Sequence, residues 1–188
     1  MIDIIEITIK EFKEKLFKEY KHLFPSEERR EWHKIKKTYK MGVEKFYNIT
    51  NNNETIGFFM LEKLNDKPYY LDYFAILEKY QQKGFGTLAI KTLLDKIVKN
   101  EGLCGEIEKE DENYSLTIKR ANFYRNLGFQ FINSEYSLYG VYYRPIIYTS
   151  KSINKNKIDK MFFDYYEVNV KKTQVKKYCI IIRWNLIK

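Results

Sequence analysis

Gln81-Gln82-Lys83-Gly84-Phe85-Gly86 joins a strand-like run, Tyr69 to Ile76, to an amphipathic stretch from Gly84 to Lys99. Leu88, Ile90, Leu93, Leu94, Ile97 and Val98 recur at helical spacing in that stretch and give it one apolar face. Glycines 84 and 86 lack a Cβ, so backbone N–H groups at the helix start stand unobstructed at the positive end of the helix dipole. Such a nest receives anions, and a pyrophosphate is its natural ligand. Two glycines in a loop also make an ordinary turn, so the surroundings decide between the two.

The surroundings disfavour nucleotide-binding folds. No G-K-[ST] follows the glycines, and the preceding strands form a meander, not a parallel βαβ unit. Val43 to Thr50 and Thr55 to Leu64 are rich in aromatic and β-branched residues and flank Asn51-Asn52-Asn53-Glu54, which predicts a hairpin. Asn65-Asp66-Lys67-Pro68 turns the chain again into the Tyr69 to Ile76 strand. Upstream, Asp3 to Ile9 alternates like a strand. Glu11 to Phe24 has Phe12, Leu16, Phe17, Tyr20 and Leu23 at helical spacing, and Ser26 is the expected N-cap of a second helix running to about Tyr39. Downstream, Leu103 to Glu108 reads as a strand, Ile118 to Leu127 as a helix ending at Gly128, and Phe129 to Thr149 as two strands with a turn near Tyr139-Gly140. The expected order is βααβββαβαββ, followed by a helix over Ile158 to Val168 and a strand over Tyr178 to Trp184.

A chain of 188 residues, 44% hydrophobic and 17% aromatic, suffices for one sizeable core. No apolar run approaches membrane-spanning length, and the N-terminus alternates instead of showing a signal-peptide pattern; no membrane association and a cytoplasmic location are expected. Cys104 and Cys179 form no metal or disulfide pattern, and His22 and His33 lie in lysine-rich helical sequence, so no metal is assigned. The net charge of +9 is concentrated in Lys151 to Lys188, which carries +7, whereas Glu101 to Asn113 carries −5.

A second motif lies about 40 residues beyond the glycine loop, in Phe123-Tyr124-Arg125-Asn126-Leu127-Gly128-Phe129. With Gln81-x-x-Gly84-x-Gly86, this Phe-Tyr-x-x-x-Gly-Phe pattern resembles the GNAT acyltransferase superfamily, whose CoA motif Q/R-x-x-G-x-G/A lies between the fourth strand and the next helix. The resemblance covers Val43 to Thr149 well and the preceding elements loosely. Phe24-Pro25-Ser26-Glu27-Glu28-Arg29, Gly105-Glu106-Ile107-Glu108 and Tyr143-Arg144-Pro145 resemble a bacterial subgroup. The resemblance implies an α/β (α+β) GNAT fold: a mixed, mostly antiparallel sheet of about seven strands flanked by about four helices. Residues 1–150 would form this acyltransferase domain, and residues 151–188 a basic, aromatic-rich extension packed on or near it.

The resemblance further implies acetyl-CoA as acyl donor. Ala75 and Ile76 backbone groups would pair with the pantetheine arm, with Gln81 opening the motif and the amides of Gln82, Lys83, Gly84, Phe85, Gly86 and Thr87 on the pyrophosphate. Lys83 would add charge or remain a solvated lysine, and Asn122 would touch pantetheine or face solvent. Tyr124 would be the general acid that protonates the leaving thiolate, since a tyrosine of pKa about 10 stays protonated at neutral pH.

The acceptor amine must lose a proton, for which Asp72, Glu106 and Glu108 are candidates, Asp72 and Glu108 above all. Strand alternation puts Tyr70, Asp72 and Phe74 on one face and Leu71, Tyr73 and Ala75 on the other. Asp72 is then a charge among apolar residues, either functional or held in a salt bridge. The acidic stretch after Glu101 suits a cationic acceptor or is simply a solvated loop. The expected activity is transfer of an acetyl group to a primary amine of a small molecule or peptide, by a monomer or homodimer. Two other functions are a CoA-binding sensor without chemistry, and a nucleic-acid binder using lysines interleaved with Tyr165, Tyr166, Tyr178 and Trp184; no recognised nucleic-acid signature supports the latter.

Overall fold

The computed structural model describes residues 1–26, 28–133, 135–138, 141–150, 159–162, 164–165 and 179–182. The chain forms two compact units, Met1–Glu101 and Gly102–Lys188. The domain expected over residues 1–150 comprises the first unit and part of the second.

In the first unit, four antiparallel strands follow the expected meander: β1 (Ile2–Ile7), β2 (Glu44–Asn51), β3 (Glu54–Glu62) and β4 (Tyr69–Ile76). The β2–β3 hairpin closes through Asn52 and Asn53, with φ of 49° and 65°; two successive left-handed residues match the twist of the flanking strands, and asparagine tolerates them. Helix α1 (Ile9–Lys15) starts on a capping box, in which Thr8 Oγ1 accepts from the Glu11 amide at 3.2 Å and Glu11 accepts from the Thr8 amide at 2.9 Å.

The helix expected over Glu11 to Phe24 is broken at Leu16, whose φ and ψ of −124° and −15° end α1 and begin α2 (Phe17–Leu23). Ser26 does not cap the next helix: α3 (Trp32–Lys40) begins six residues later, after Glu31. The intervening backbone is diverted because Arg30 turns into the unit's interior, as described below. Phe12, Leu16 and Tyr20 pack with Ile35 of α3 against Phe46, Phe58, Met60 and Tyr73 of the strands. Phe12 stacks on Phe46 at 4.5 Å between ring centroids, and Tyr20 meets Tyr73 edge-on at 4.9 Å. Helix α4 (Phe85–Leu93) packs on β1 and β4, burying Ala89, Ile90 and Leu93, and continues into a π-turn over Leu94–Val98.

In the second unit, β5 (Leu103–Glu108) pairs antiparallel with β8 (Val141–Tyr148), which also pairs with β6 (Gln130–Phe131) and β7 (Glu135–Leu138). Helix α5 (Ser115–Asn126) begins three residues before the expected start, and β9 (Cys179–Ile182) of the C-terminal extension pairs with β7. Nine strands are thus found among the described residues: the expected seven, β9 within the stretch read as a strand over Tyr178 to Trp184, and the unexpected two-residue β6. The expected turn at Tyr139-Gly140, Ser26's neighbour Glu27 and the extension residues Tyr166, Tyr178 and Trp184 lie outside the described residues. No helix among the described residues is long and apolar enough to cross a membrane.

Candidate active site

Beyond β4 the chain makes one 3-10 turn, Glu78–Tyr80, and enters α4 through the glycine loop. Gln81 ties the loop back to the strand, its Nε2 donating to the Ile76 carbonyl at 2.8 Å. Gln82 and Gly84 are left-handed, with φ of 60° and 80°, and Gly84 is the N-cap of α4. Left-handed residues alternating with extended or helical ones turn successive amides toward one point, which is an anion nest. The amides of Phe85, Gly86 and Thr87 form the first helical turn, where no helix carbonyl precedes them, and that turn holds no acidic residue. No atom lies within 4 Å of a Cβ built on Gly84, so its conformation, not crowding, demands glycine there. These residues fit a pyrophosphate. Lys83 is turned elsewhere: its Nζ donates to the Lys79 carbonyl at 2.8 Å.

At the end of β4, the Ala75 carbonyl lies against Gly57 of β3, only 2.3 Å from where a Cβ on that glycine would stand. The neighbouring Ile76 carbonyl accepts from Gln81, so the two residues expected to face the donor arm differ in how they are held.

In the second unit, Tyr124 is 8% exposed, edge-on to Phe129 at 5.1 Å. Burial pushes its phenol up to about 12, with Arg120 opposing, so it stays protonated across the neutral range. Glu108 accepts from Arg120 at 2.5 Å. Asn122 is exposed, and its Oδ1 accepts from Arg125 at 3.1 Å. Cys104 is buried in β5.

Asp72 and Tyr73 do not alternate as expected. Met60 pairs with Tyr73 and Leu61 with Leu71, so Asp72 is an extra residue in β4, a bulge that breaks the alternation. Asp72 and Tyr73, expected on opposite faces, both reach Arg30: Arg30 Nη1 donates to the Asp72 carboxylate, and the Arg30 amide donates to the Tyr73 hydroxyl at 3.0 Å. The same Nη1 donates to Glu44 at 2.7 Å and Glu62 at 2.8 Å. Glu44, Glu62 and Asp72 offer carboxylate oxygens within 4.8 Å of one another, and the guanidinium lies among them.

The sequence pattern of the Acetyltransferase (GNAT) family matches residues 9–129. The chain belongs to this family. GNAT membership carries acetyl transfer from acetyl-CoA as its class of activity. Three solved GNAT-fold structures illustrate the likeness. A protein of the GNAT family from Bacteroides thetaiotaomicron is 20% identical, with 94% of this chain and 98% of that chain covered and a TM-score of 0.71. The ribosomal-protein-S18-alanine N-acetyltransferase from Escherichia coli is 17% identical over 83% and 98% of the chains, with a TM-score of 0.57. Arabidopsis thaliana NAA60, solved in complex with acetyl-CoA, is 13% identical over 81% and 100%, with a TM-score of 0.58. At these identities the structures show the GNAT fold. Among curated proteins, none matches the chain.

Arg30, Glu44 and Glu62 are the polar residues of this GNAT protein that sequence reasoning passed over. A signal existed. Glu44 is in phase with buried Phe46 on β2, and Glu62 with buried Met60 and Phe58 on β3, so both carboxylates occupy positions that alternation reserves for apolar side chains.

Proposed function

We propose that this GNAT protein transfers an acetyl group from acetyl-CoA to a primary amine of a small molecule or peptide, by direct attack in a ternary complex. The observation that carries the reading is the left-handed Gly84 cap, which turns the first-turn amides of α4 outward as a pyrophosphate receptor. Acetyl-CoA supplies the thioester whose C–S bond breaks as the amine nitrogen bonds to the carbonyl carbon. One proton must leave that nitrogen and one must reach the departing sulfur. Tyr124, kept protonated by its burial, is assigned the second task, and Glu108, held by Arg120, the first. Asp72 is the less favoured base because it is largely buried beside Arg30 and two further carboxylates, whereas the Glu108–Arg120 pair is partly exposed. Burial of Cys104 argues for direct attack over a cysteine-bound acyl group. An amine acceptor agrees with the activity named for the Escherichia coli fold relative, which acetylates an alanine nitrogen.

The test is turnover with acetyl-CoA against polyamines, aminoglycosides and lysine-bearing peptides, followed by free-thiol release and mass spectrometry of the acceptor. Thiol release with stoichiometric N-acetylation of at least one amine is expected. Tight acetyl-CoA binding without thiol release from any amine would replace the enzyme with a CoA-binding sensor.

A further inference from the structure

Five elements of the first unit converge on Arg30, whose side chain is only 12% exposed although it lies in the connection between α2 and α3. Its Nη1 serves Glu44 of β2, Glu62 of β3 and Asp72 of β4, and its Nη2 donates to Thr38 of α3 at 2.7 Å. Thr38 Oγ1 in turn donates to Glu44 Oε2 at 2.8 Å. The Arg30 amide donates to the Tyr20 hydroxyl of α2 at 2.8 Å and to the Tyr73 hydroxyl of β4, while Tyr73 donates to the Glu28 carbonyl at 2.6 Å. The connection at residues 28–31 is thereby pinned to the sheet at both side-chain and backbone level.

Three carboxylates face one guanidinium, and an Nη1 nitrogen has two hydrogens for the three oxygens it approaches. The side chains of Glu44 and Glu62 have no exposure at all, and Glu44 Oε1 is buried without a hydrogen-bond partner among the described residues. An ionised carboxylate with an orphaned oxygen in that setting is far costlier than a neutral acid. Like charges sharing one site force one of them to take up a proton.

We propose that Arg30 is a positioning residue for the donor strand, and that it works together with a proton held on Glu44. The cluster clamps the α2–α3 connection and the Asp72 bulge onto β2–β4, and the bulge sets the register in which Ala75 and Ile76 meet acetyl-CoA; this last step rests on the donor site proposed above. Burial pushes Glu44 up to about 7 against the pull of Arg30, and raises Asp72 and Tyr73 in the same sense. Because the folded value of Glu44 lies above its ordinary one, the stabilising proton is fully present at low pH and is lost as pH rises through about 7. Above that point the clamp loosens.

The experiment compares wild type with Glu44→Gln, which copies the neutral acid, in acetyl-CoA affinity and Tm between about pH 6 and about pH 8.5. At the lower pH the two proteins should bind acetyl-CoA alike; at the higher, wild type should bind roughly threefold or more weakly than the variant and melt at a lower temperature. The ratio cancels any titration of the ligand itself. Arg30→Lys keeps the charge but loses the fork, and, folded, should weaken acetyl-CoA binding about fivefold or more at both pH values. A wild-type to Glu44→Gln ratio that is flat in affinity and in Tm overturns the proton, and a folded Arg30→Lys with wild-type affinity overturns the positioning role. If Arg30→Lys does not fold, the Glu44→Gln affinity ratio alone decides the positioning role: a pH-dependent ratio upholds it and a flat one refutes it. If wild type binds no acetyl-CoA, the donor site has failed instead, and the Tm comparison still judges the cluster.

Discussion

Gly57→Ala is the sharpest probe of the donor strand. The added Cβ would stand 2.3 Å from the Ala75 carbonyl oxygen, 3.1 Å from Ile76 Cδ1 and 3.2 Å from Ile76 Cα. Ordinary carbon–oxygen contact begins about 1 Å farther out. The obstructing atom is backbone, so no rotamer change relieves it; β4 must retreat from β3 by most of that ångström, against the Leu77 amide's 2.9 Å bond to the Ile56 carbonyl. Overpacking of this kind costs about 1–3 kcal/mol. The displaced end of β4 carries the backbone groups assigned to the donor arm, so acetyl-CoA affinity should fall about tenfold, equivalent to about 1.4 kcal/mol, in titration calorimetry. Gly42→Ala is the matched control: no atom lies within 4 Å of its Cβ, and its φ of 73° exacts only a conformational cost of about 1 kcal/mol in Tm measurements. A folded Gly57→Ala protein with wild-type affinity and a Tm no lower than that of Gly42→Ala would refute the role given to this end of β4.

Two further changes test the proposed chemistry. Gly86→Glu puts a carboxylate in the first turn of α4 and should abolish CoA binding while leaving the circular dichroism spectrum intact; retained affinity in calorimetry would remove the loop as the phosphate receptor. Tyr124→Phe deletes only a hydroxyl and should lower kcat about 100-fold with little change in KM for acetyl-CoA, and an unchanged kcat would assign the leaving-group proton to another donor.

The strands, the hairpin at Asn52-Asn53 and the glycine loop were legible because each rests on local chemistry: alternation, left-handed tolerance, a missing Cβ. The break at Leu16, the start of α3 at Trp32 and the bulge at Asp72 were not; at the last two, contacts of Arg30 override the local pattern. Helical periodicity runs through Leu16 without a signal for the break. Ser26 is a good cap by type, yet the chain beyond it follows Arg30 into the interior instead. Alternation counts residues and cannot see that one strand carries an extra one, so it put Asp72 and Tyr73 on opposite faces. The carboxylates at positions 44 and 62 were visible as charges in an apolar phase, but the basic partner lies in another element, and no spacing rule connects them.

The break at Leu16 also separates two rotational settings. Phe12, Leu16 and Tyr20 lie four residues apart, and each such step in an unbroken α-helix drifts about 40° around the axis, so an uninterrupted helix would swing Tyr20 well off the line of Phe12. With the helix restarted at Phe17, both rings meet the same core. The Tyr20 hydroxyl accepts from the Arg30 amide, so the second helix is held by the cluster as well as by the core.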